Sequence, residues 1–197
     1  MTKPIAGTKT EQKLLQSYFA ESAAYTRYTF YALQAAKENY FPVERIFNET
    51  AANELRHAKV FFKFLPGGAP LQVDVATNPG IIGDTASNLA TAAEEELREG
   101  VDFYNEAARI ARSEGFDDIA DHFEAVATIE KRHHDRFERY LKHIQDGTLW
   151  KRSEPVTWQC LVCGYEYTGT EPPKVCPACD HPYQHYIAIG DGDDDVE

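Results

Sequence analysis

Two long stretches of the chain place inward-facing residues at alternating steps of four and three. The first runs Val43, Phe47, Thr50, Glu54, His57, Phe61, Phe64, and the second runs Ile119, Phe123, Val126, Glu130, His133, Phe137, Tyr140. This spacing is the buried seam of an amphipathic helix, and it predicts helices over about 43–65 and 117–146. Each seam is interrupted at its centre by a glutamate with a histidine three residues on. A helix turns two such residues to the same face, here the apolar one, where an unpaired charge is costly. A constant offset of 76 residues relates the two stretches: Tyr40 maps to Phe116, Val43 to Ile119, Phe47 to Phe123, Glu54 to Glu130, His57 to His133 and Phe61 to Phe137.

Two further stripes complete the pattern. A helix over about 10–38 carries Leu14, Tyr18, Glu21, Tyr28, Ala32 and Ala35 on one face, and a helix over about 84–113 carries Leu89, Ala93, Glu96, Gly100, Phe103, Ala107 and Ile110. Thr10 with Lys13 makes a poor capping pair for the first. Pro42 suits the first turn of the second helix, Asp84 is a candidate N-cap for the third, and Gly115 and Gly147 are stop signals. In the run Glu94-Glu95-Glu96, periodicity picks Glu96 as the inward member. Residues 66–82 hold Pro66, Gly67, Gly68, Pro70, Pro79 and Gly80 and read as non-helical. Seventeen extended residues reach roughly 55–60 Å, enough to return along a helix of about 35–45 Å. The expected fold is therefore mainly α, a ferritin-like four-helix bundle with one long crossover that leaves helices two and three parallel. The repeat continues from Tyr28 to Tyr104 but sends Glu21 to Leu97, one residue past Glu96. A π-bulge would absorb the slip.

Composition adds bounds. With 43% hydrophobic and 26% charged residues and a net charge of −12, the chain reads as globular and soluble, and its acidity argues against nucleic acid as a partner. No leader pattern and no apolar run of bilayer length is visible, so no membrane association is expected and the cytoplasm is the expected compartment. The expected organisation is a bundle over 1–147, a linker over 148–157, a small metal domain over 158–190 with β and loop character, and an acidic tail over 191–197. All four cysteines fall in the small domain as two C-x-x-C pairs, a spacing that favours a metal over a disulfide framework.

Two candidate sites follow. The first comprises Glu21, Glu54, His57, Glu96, Glu130 and His133, six metal-ligand types on four apolar stripes in the order Glu, Glu-x-x-His, Glu, Glu-x-x-His. That is how a bundle holds two metal ions in its core, and the donor set suits iron or manganese. Glu54 and Glu130 are the natural bridges. Glu99, three residues after Glu96, is a further carboxylate at the edge of the seam. His134 competes with His133, and the match to His57 favours His133. Tyr28 and Tyr104 are placed to donate hydrogen bonds to the ligand carboxylates. The second site is Cys160, Cys163, Cys176 and Cys179, four thiolates for one tetrahedral ion, iron or zinc. His181 and His185, just beyond, are expected on the surface.

Taken together, Glu21, Glu54-x-x-His57, Glu96-x-x-Glu99, Glu130-x-x-His133, Cys160-x-x-Cys-Gly-Tyr and Cys176-Pro-x-Cys179 resemble the rubrerythrin family over roughly residues 10–189. The resemblance implies a di-iron bundle joined to a rubredoxin-like domain, with iron rather than zinc among the cysteines. It implies that Glu99 exchanges with His57 as the iron changes oxidation state. It implies reduction of hydrogen peroxide to water in oxidative-stress protection. Electrons would come from an external NAD(P)H-linked reductase or a rubredoxin, since the chain carries no Gly-rich nucleotide fingerprint. It further implies a homodimer in which the small domain of one subunit approaches the di-iron site of the other. Two rival readings use the same residues: a ferritin-like iron oxidase or store, and a non-enzymatic bundle with a structural zinc ribbon.

Overall fold

The structure is a computed structural model that describes residues 4–67, 70–75 and 79–190, apart from the side chain of Glu99. The expected acidic tail over 191–197 lies outside the described residues.

Helix α1 (Lys9–Lys37) begins one residue before Thr10, its cap two residues ahead of the weak Thr10 signal. Thr8 is its N-cap, its hydroxyl accepting from the Glu11 amide at 3.1 Å, and Glu11 reaches back to the Gly7 amide at 2.7 Å. A tight turn with Asn39 at positive φ leads into α2 (Phe41–Phe64), with Pro42 in its first turn. Asp84 caps α3 (Thr85–Glu95) by accepting from the Ser87 amide at 2.8 Å. A π-helical turn (Glu96–Asp102) then carries the chain without a break into α4 (Phe103–Ser113), so the third long helix has three segments. Gly115 at positive φ turns the chain into α5 (Asp117–Gln145).

Two ties fix how the helices run. Glu114, at the end of α4, accepts from the Thr10 amide at 2.8 Å and the Thr10 hydroxyl at 2.6 Å. Glu38, at the end of α1, accepts from the Thr85 amide at 2.9 Å and the Thr85 hydroxyl at 2.6 Å. The first and third helices are thus antiparallel. The short α1–α2 turn makes that pair antiparallel too, so α2 and the third helix run parallel and the crossover is required. The ties also locate the repeat's slip. Thr10 to Thr85 and Glu21 to Glu96 differ by 75, whereas Tyr28 to Tyr104 and Glu38 to Glu114 differ by 76. The extra residue is taken up in the π turn, between Glu96 and Tyr104.

The bundle core forms two apolar layers. One gathers Tyr28, Tyr31, Phe47, Leu89 and Phe137, and the other Leu14, Phe61, Tyr104, Ala107 and Phe123. The pseudo-symmetry shows in their ring pairs: Phe47 meets Phe137 at 5.1 Å and its counterpart Phe123 meets Phe61 at 5.3 Å.

Beyond α5, strands β1 (Val156–Cys160), β2 (Glu166–Gly169) and β3 (Tyr186–Ile189) form an antiparallel sheet in the order β2-β1-β3. Its core is the fully buried Trp158 with Tyr186 and Ala188. The sheet region packs on the α1–α2 end of the bundle. Leu149 and Ile187 join the first apolar layer, and Trp150 stacks on Tyr40. The expected linker is thus a packed joint. His185 is likewise not the surface residue expected: its ring stacks on Phe41 with centroids 3.7 Å apart. None of the described helices is long and apolar enough to cross a membrane.

Phe123 is fully buried and Phe62 is 59% exposed. Phe123→Ala is expected to cost about 3–5 kcal/mol in denaturant unfolding through the cavity it leaves, while Phe62→Ala stays within about 0.5 kcal/mol.

Candidate metal centres

Between the two apolar layers the four helices turn polar groups inward. Each histidine points Nδ1 at a carboxylate of its own motif and at one of the other. His57 Nδ1 lies 2.9 Å from Glu54 Oε2 and 3.1 Å from Glu130 Oε1, and His133 Nδ1 lies 2.8 Å from Glu130 Oε2 and 3.1 Å from Glu54 Oε1. The outer glutamates stand further off, Glu21 at 3.8 Å from His57 Nδ1 and Glu96 at 3.9 Å from His133 Nδ1. Two four-residue groups result, Glu21, Glu54, His57, Glu130 and Glu54, Glu96, Glu130, His133, each with one ligand atom per residue within 4.8 Å of the others. They share Glu54 and Glu130, so each shared carboxylate has one oxygen for each group.

The donor set fits a pair of cations. Glu54 Oε1 and Glu130 Oε1 are buried and lack a hydrogen-bond partner, although each faces an imidazole nitrogen. Four carboxylates in one dry site carry a charge of −4, which two divalent ions would cancel with both imidazoles neutral. Without that charge the site holds protons instead. Burial, then repulsion from Glu130, pushes Glu21 well above the carboxylate range and Glu96 up to about 7. Burial alone would lower the two histidines. For His57 the contacts with Glu130, Glu21 and Glu54 outweigh it, and for His133 those with Glu54, Glu130 and Glu96, so both are raised.

Two tyrosines hold the outer glutamates from the opposite helix. Tyr28 on α1 donates to Glu96 Oε1 at 2.5 Å, and Tyr104 on α4 donates to Glu21 Oε1. Burial, then the adjacent carboxylate, raises both phenols, so they remain protonated donors. The π turn brings Gly100 against Glu130: a Cβ there would lie 2.6 Å from Glu130 Cβ and 2.7 Å from its Cγ. Ala20, Ala24, Gly100 and the buried Arg27–Glu95 pair (2.6 Å) line a cavity of about 30 Å³ that opens onto the carboxylates.

In the sheet region, two loops of one shape bring the cysteines together. The Gly164 amide donates to the Cys160 carbonyl at 2.8 Å, and the Asp180 amide to that of Cys176 at 2.9 Å. Gly164 and Asp180 both sit at positive φ. The Cys160–Cys179 and Cys163–Cys176 sulfurs are 3.7 Å apart. A disulfide needs about 2.05 Å, whereas a tetrahedron of metal–sulfur bonds near 2.3 Å has edges of about 3.8 Å. Burial raises the Cys176 thiol, but the Tyr186 hydroxyl and the amides of Ala178 and Cys179 outweigh it and bring it to about 6, a direction that favours a thiolate.

A family model described as "Rubrerythrin" matches residues 13–141 and 87–157, and one described as "Rubrerythrin, rubredoxin-like domain" matches 158–187. The chain is 45% identical to rubrerythrin of Porphyromonas gingivalis over 94% of its own length and 92% of that relative. The chain belongs to the rubrerythrin family. Rubrerythrin-1 of Clostridium acetobutylicum is 42% identical, with 96% of this chain and 98% of the relative covered. A solved structure described as a mixed-valence state of nigerythrin is similar with a TM-score of 0.60 and 26% identity, over 94% of this chain and 91% of that one.

Among the residues that suggest rubrerythrin in the sequence, the structure brings together Glu21, Glu54, His57, Glu96, Glu130 and His133, and separately Cys160, Cys163, Cys176 and Cys179. His134 turns away, its Nδ1 2.8 Å from the Ala93 carbonyl. The side chain of Glu99 lies outside the described residues. Sequence reasoning missed Glu95, which is buried beside Glu96 rather than solvated. It also missed the close approach at Gly100, whose signal was a glycine inside a helical stripe.

Gly100→Ala is expected to displace Glu130 and lower metal uptake by the bundle, while the four-cysteine site still fills; metal analysis after reconstitution separates the two. Because Glu21, Glu96, His57 and His133 bind protons more tightly folded than unfolded, the metal-free bundle gains stability from them at low pH. It loses that stability as pH rises from about 5 through Glu96's value of about 7 and beyond. The metal-loaded protein should show the opposite slope, since protons compete for the same atoms. Denaturant midpoints across that range, with and without chelator, check the sign.

Proposed function

We propose that the chain is a non-haem di-iron peroxidase that reduces hydrogen peroxide to water: H₂O₂ takes up two electrons and two protons and gives two H₂O. Glu21, Glu54, His57 and Glu130 would hold one iron, and Glu54, Glu96, Glu130 and His133 the other, with Glu99 the further ligand implied by the family. When bound, the two irons supply one electron each and a Lewis-acidic surface for the O–O bond. The observation that carries this reading is the pair of ligand groups sharing two glutamates, in a chain that also carries a four-cysteine centre.

The residues divide the work. Glu54 and Glu130 span the two positions and balance charge from both. Tyr28 and Tyr104 keep Glu96 and Glu21 in place as charge changes. The aromatic layers on either side exclude water, and the small cavity admits only a reactant of few atoms. Cys160, Cys163, Cys176 and Cys179 would hold one iron that passes electrons inward from an external NAD(P)H-linked reductase or a rubredoxin. A mixed-valence form of the similar nigerythrin supports a redox role for such a bundle. Reduced cysteines in a metal cluster suit the cytoplasm.

Within one chain the sheet region packs beside Tyr40 and Phe41, thirteen residues before Glu54 on α2. At 1.5 Å per residue that is about 20 Å along the helix. This supports a homodimer in which the small domain of one subunit serves the bundle of the other.

The test is to reduce the protein without oxygen, add one equivalent of hydrogen peroxide, and follow the visible absorption of the four-cysteine centre beside an air-saturated control. Rapid return of the ferric-thiolate colour with peroxide and slow return with oxygen is the expected result. Faster return with oxygen would instead identify an iron oxidase, and a colourless protein would place zinc among the cysteines and remove the electron route.

A further inference from the structure

The pseudo-symmetry of the bundle makes the two histidines equivalent at Nδ1, but it breaks at Nε2. His133 Nε2 meets the side-chain amide of Asn53 at 3.3 Å, across from α5 to α2. Asn53 immediately precedes Glu54. The matching position before Glu130 is Ile129, which has no polar side-chain group to offer His57. Among the described residues, His57 has hydrogen-bond and ionic partners only at Nδ1. Its side chain is 14% exposed against 4% for His133.

We propose that Asn53 is a positioning residue that locks the His133 ring, a constraint for which His57, the exchanging imidazole that the family resemblance implies, has no counterpart among the described residues. The proposal rests on the reading of the bundle as a two-metal site. An imidazole that binds a metal through Nδ1 carries its proton on Nε2, and a partner for that N–H fixes both tautomer and ring orientation. The Asn53 amide can present its oxygen to that N–H by turning half a revolution within the same outline. His133 is then held at both nitrogens and cannot rotate without losing a bond. His57 is held at Nδ1 alone, so its ring has one anchor fewer to lose when it turns. Besides the extra carboxylate that the family implies at Glu99, the two metal positions are thus held unequally by one side chain that touches neither.

The experiment uses the full-length protein loaded with cobaltous ion, its proton NMR spectrum, and the variants Asn53→Leu and Asn53→Asp. The four sulfurs carry no imidazole, so shifted exchangeable N–H signals belong to the bundle histidines. In the unaltered protein one such signal is expected to exchange slowly with deuterated water and the other quickly. Asn53→Leu should make both exchange quickly and weaken one of the two bundle binding steps about tenfold, the low end of the usual cost of losing such a partner. Asn53→Asp, which keeps an acceptor, should retain the slow signal and both binding steps. Asn53 is exposed on α2, so both variants should fold, and thermal unfolding of the metal-free forms checks this. Unchanged exchange and binding in Asn53→Leu would overturn the proposal, as would identical behaviour of the two variants. A wild-type bundle that takes up no cobalt would overturn the metal reading and this proposal with it. The N–H and binding readings stand whichever oxidant the enzyme prefers.

Discussion

Four carboxylates and two imidazoles are buried at the centre of an apolar bundle, and the rest of the structure is arranged around keeping them there. Burying such charge without compensation costs more than a typical domain's whole stability. Two cations held by these residues would remove the cost by cancelling the carboxylate charge, including that on the Glu54 and Glu130 oxygens that lack a hydrogen-bond partner. The aromatic layers above and below keep water out, which raises the cost of an empty site and strengthens the hold on a filled one. Protons can stand in for metal in part, the direction in which Glu21, Glu96 and both histidines are shifted.

Much of this was legible in the sequence because helical geometry converts spacing into direction. The four-three stripes named the inward residues on the first, second and fourth long helices, and on the third as far as Gly100. Beyond it the π turn moves the seam one position along, so Tyr104, Ala108 and Ala111 are buried where Phe103 and Ile110 were expected. The length of the 66–82 segment called for parallel second and third helices. The one-residue mismatch between Glu21 and Glu96 was visible as an arithmetic slip, and the π turn at Glu96–Asp102 is its physical form. What spacing could not show was anything that depends on distance between elements. Glu95 sits next to an inward residue and read as solvated, yet it turns inside because the π turn starts at its neighbour and Arg27 reaches it from α1. Thr10 was read as a weak helix start, when its role is to bind a carboxylate at the far end of the third helix. His185 looked like a surface residue because nothing in the sequence places it against Phe41.

The sheet region follows a different physical logic. With so small a core, Trp158 and two neighbours cannot hold three short strands by burial alone, and the cysteine tetrahedron supplies the missing constraint. Its attachment at Leu149, Trp150 and Ile187 extends the bundle's own core into the joint, so the two units share apolar contact even though their metal chemistries are separate.

The threonine–glutamate ties have a further meaning. Glu38 closes the first turn of the helix that begins the second hairpin, and Glu114 does the same for the first hairpin. Each ligand group likewise takes three residues from one hairpin and one from the other. Either hairpin alone would have a frayed entry helix and a metal position one ligand short. The bundle is in effect an intramolecular dimer, two unfinished halves each made whole by the other, and the one added residue in the π turn is where the halves stop being interchangeable.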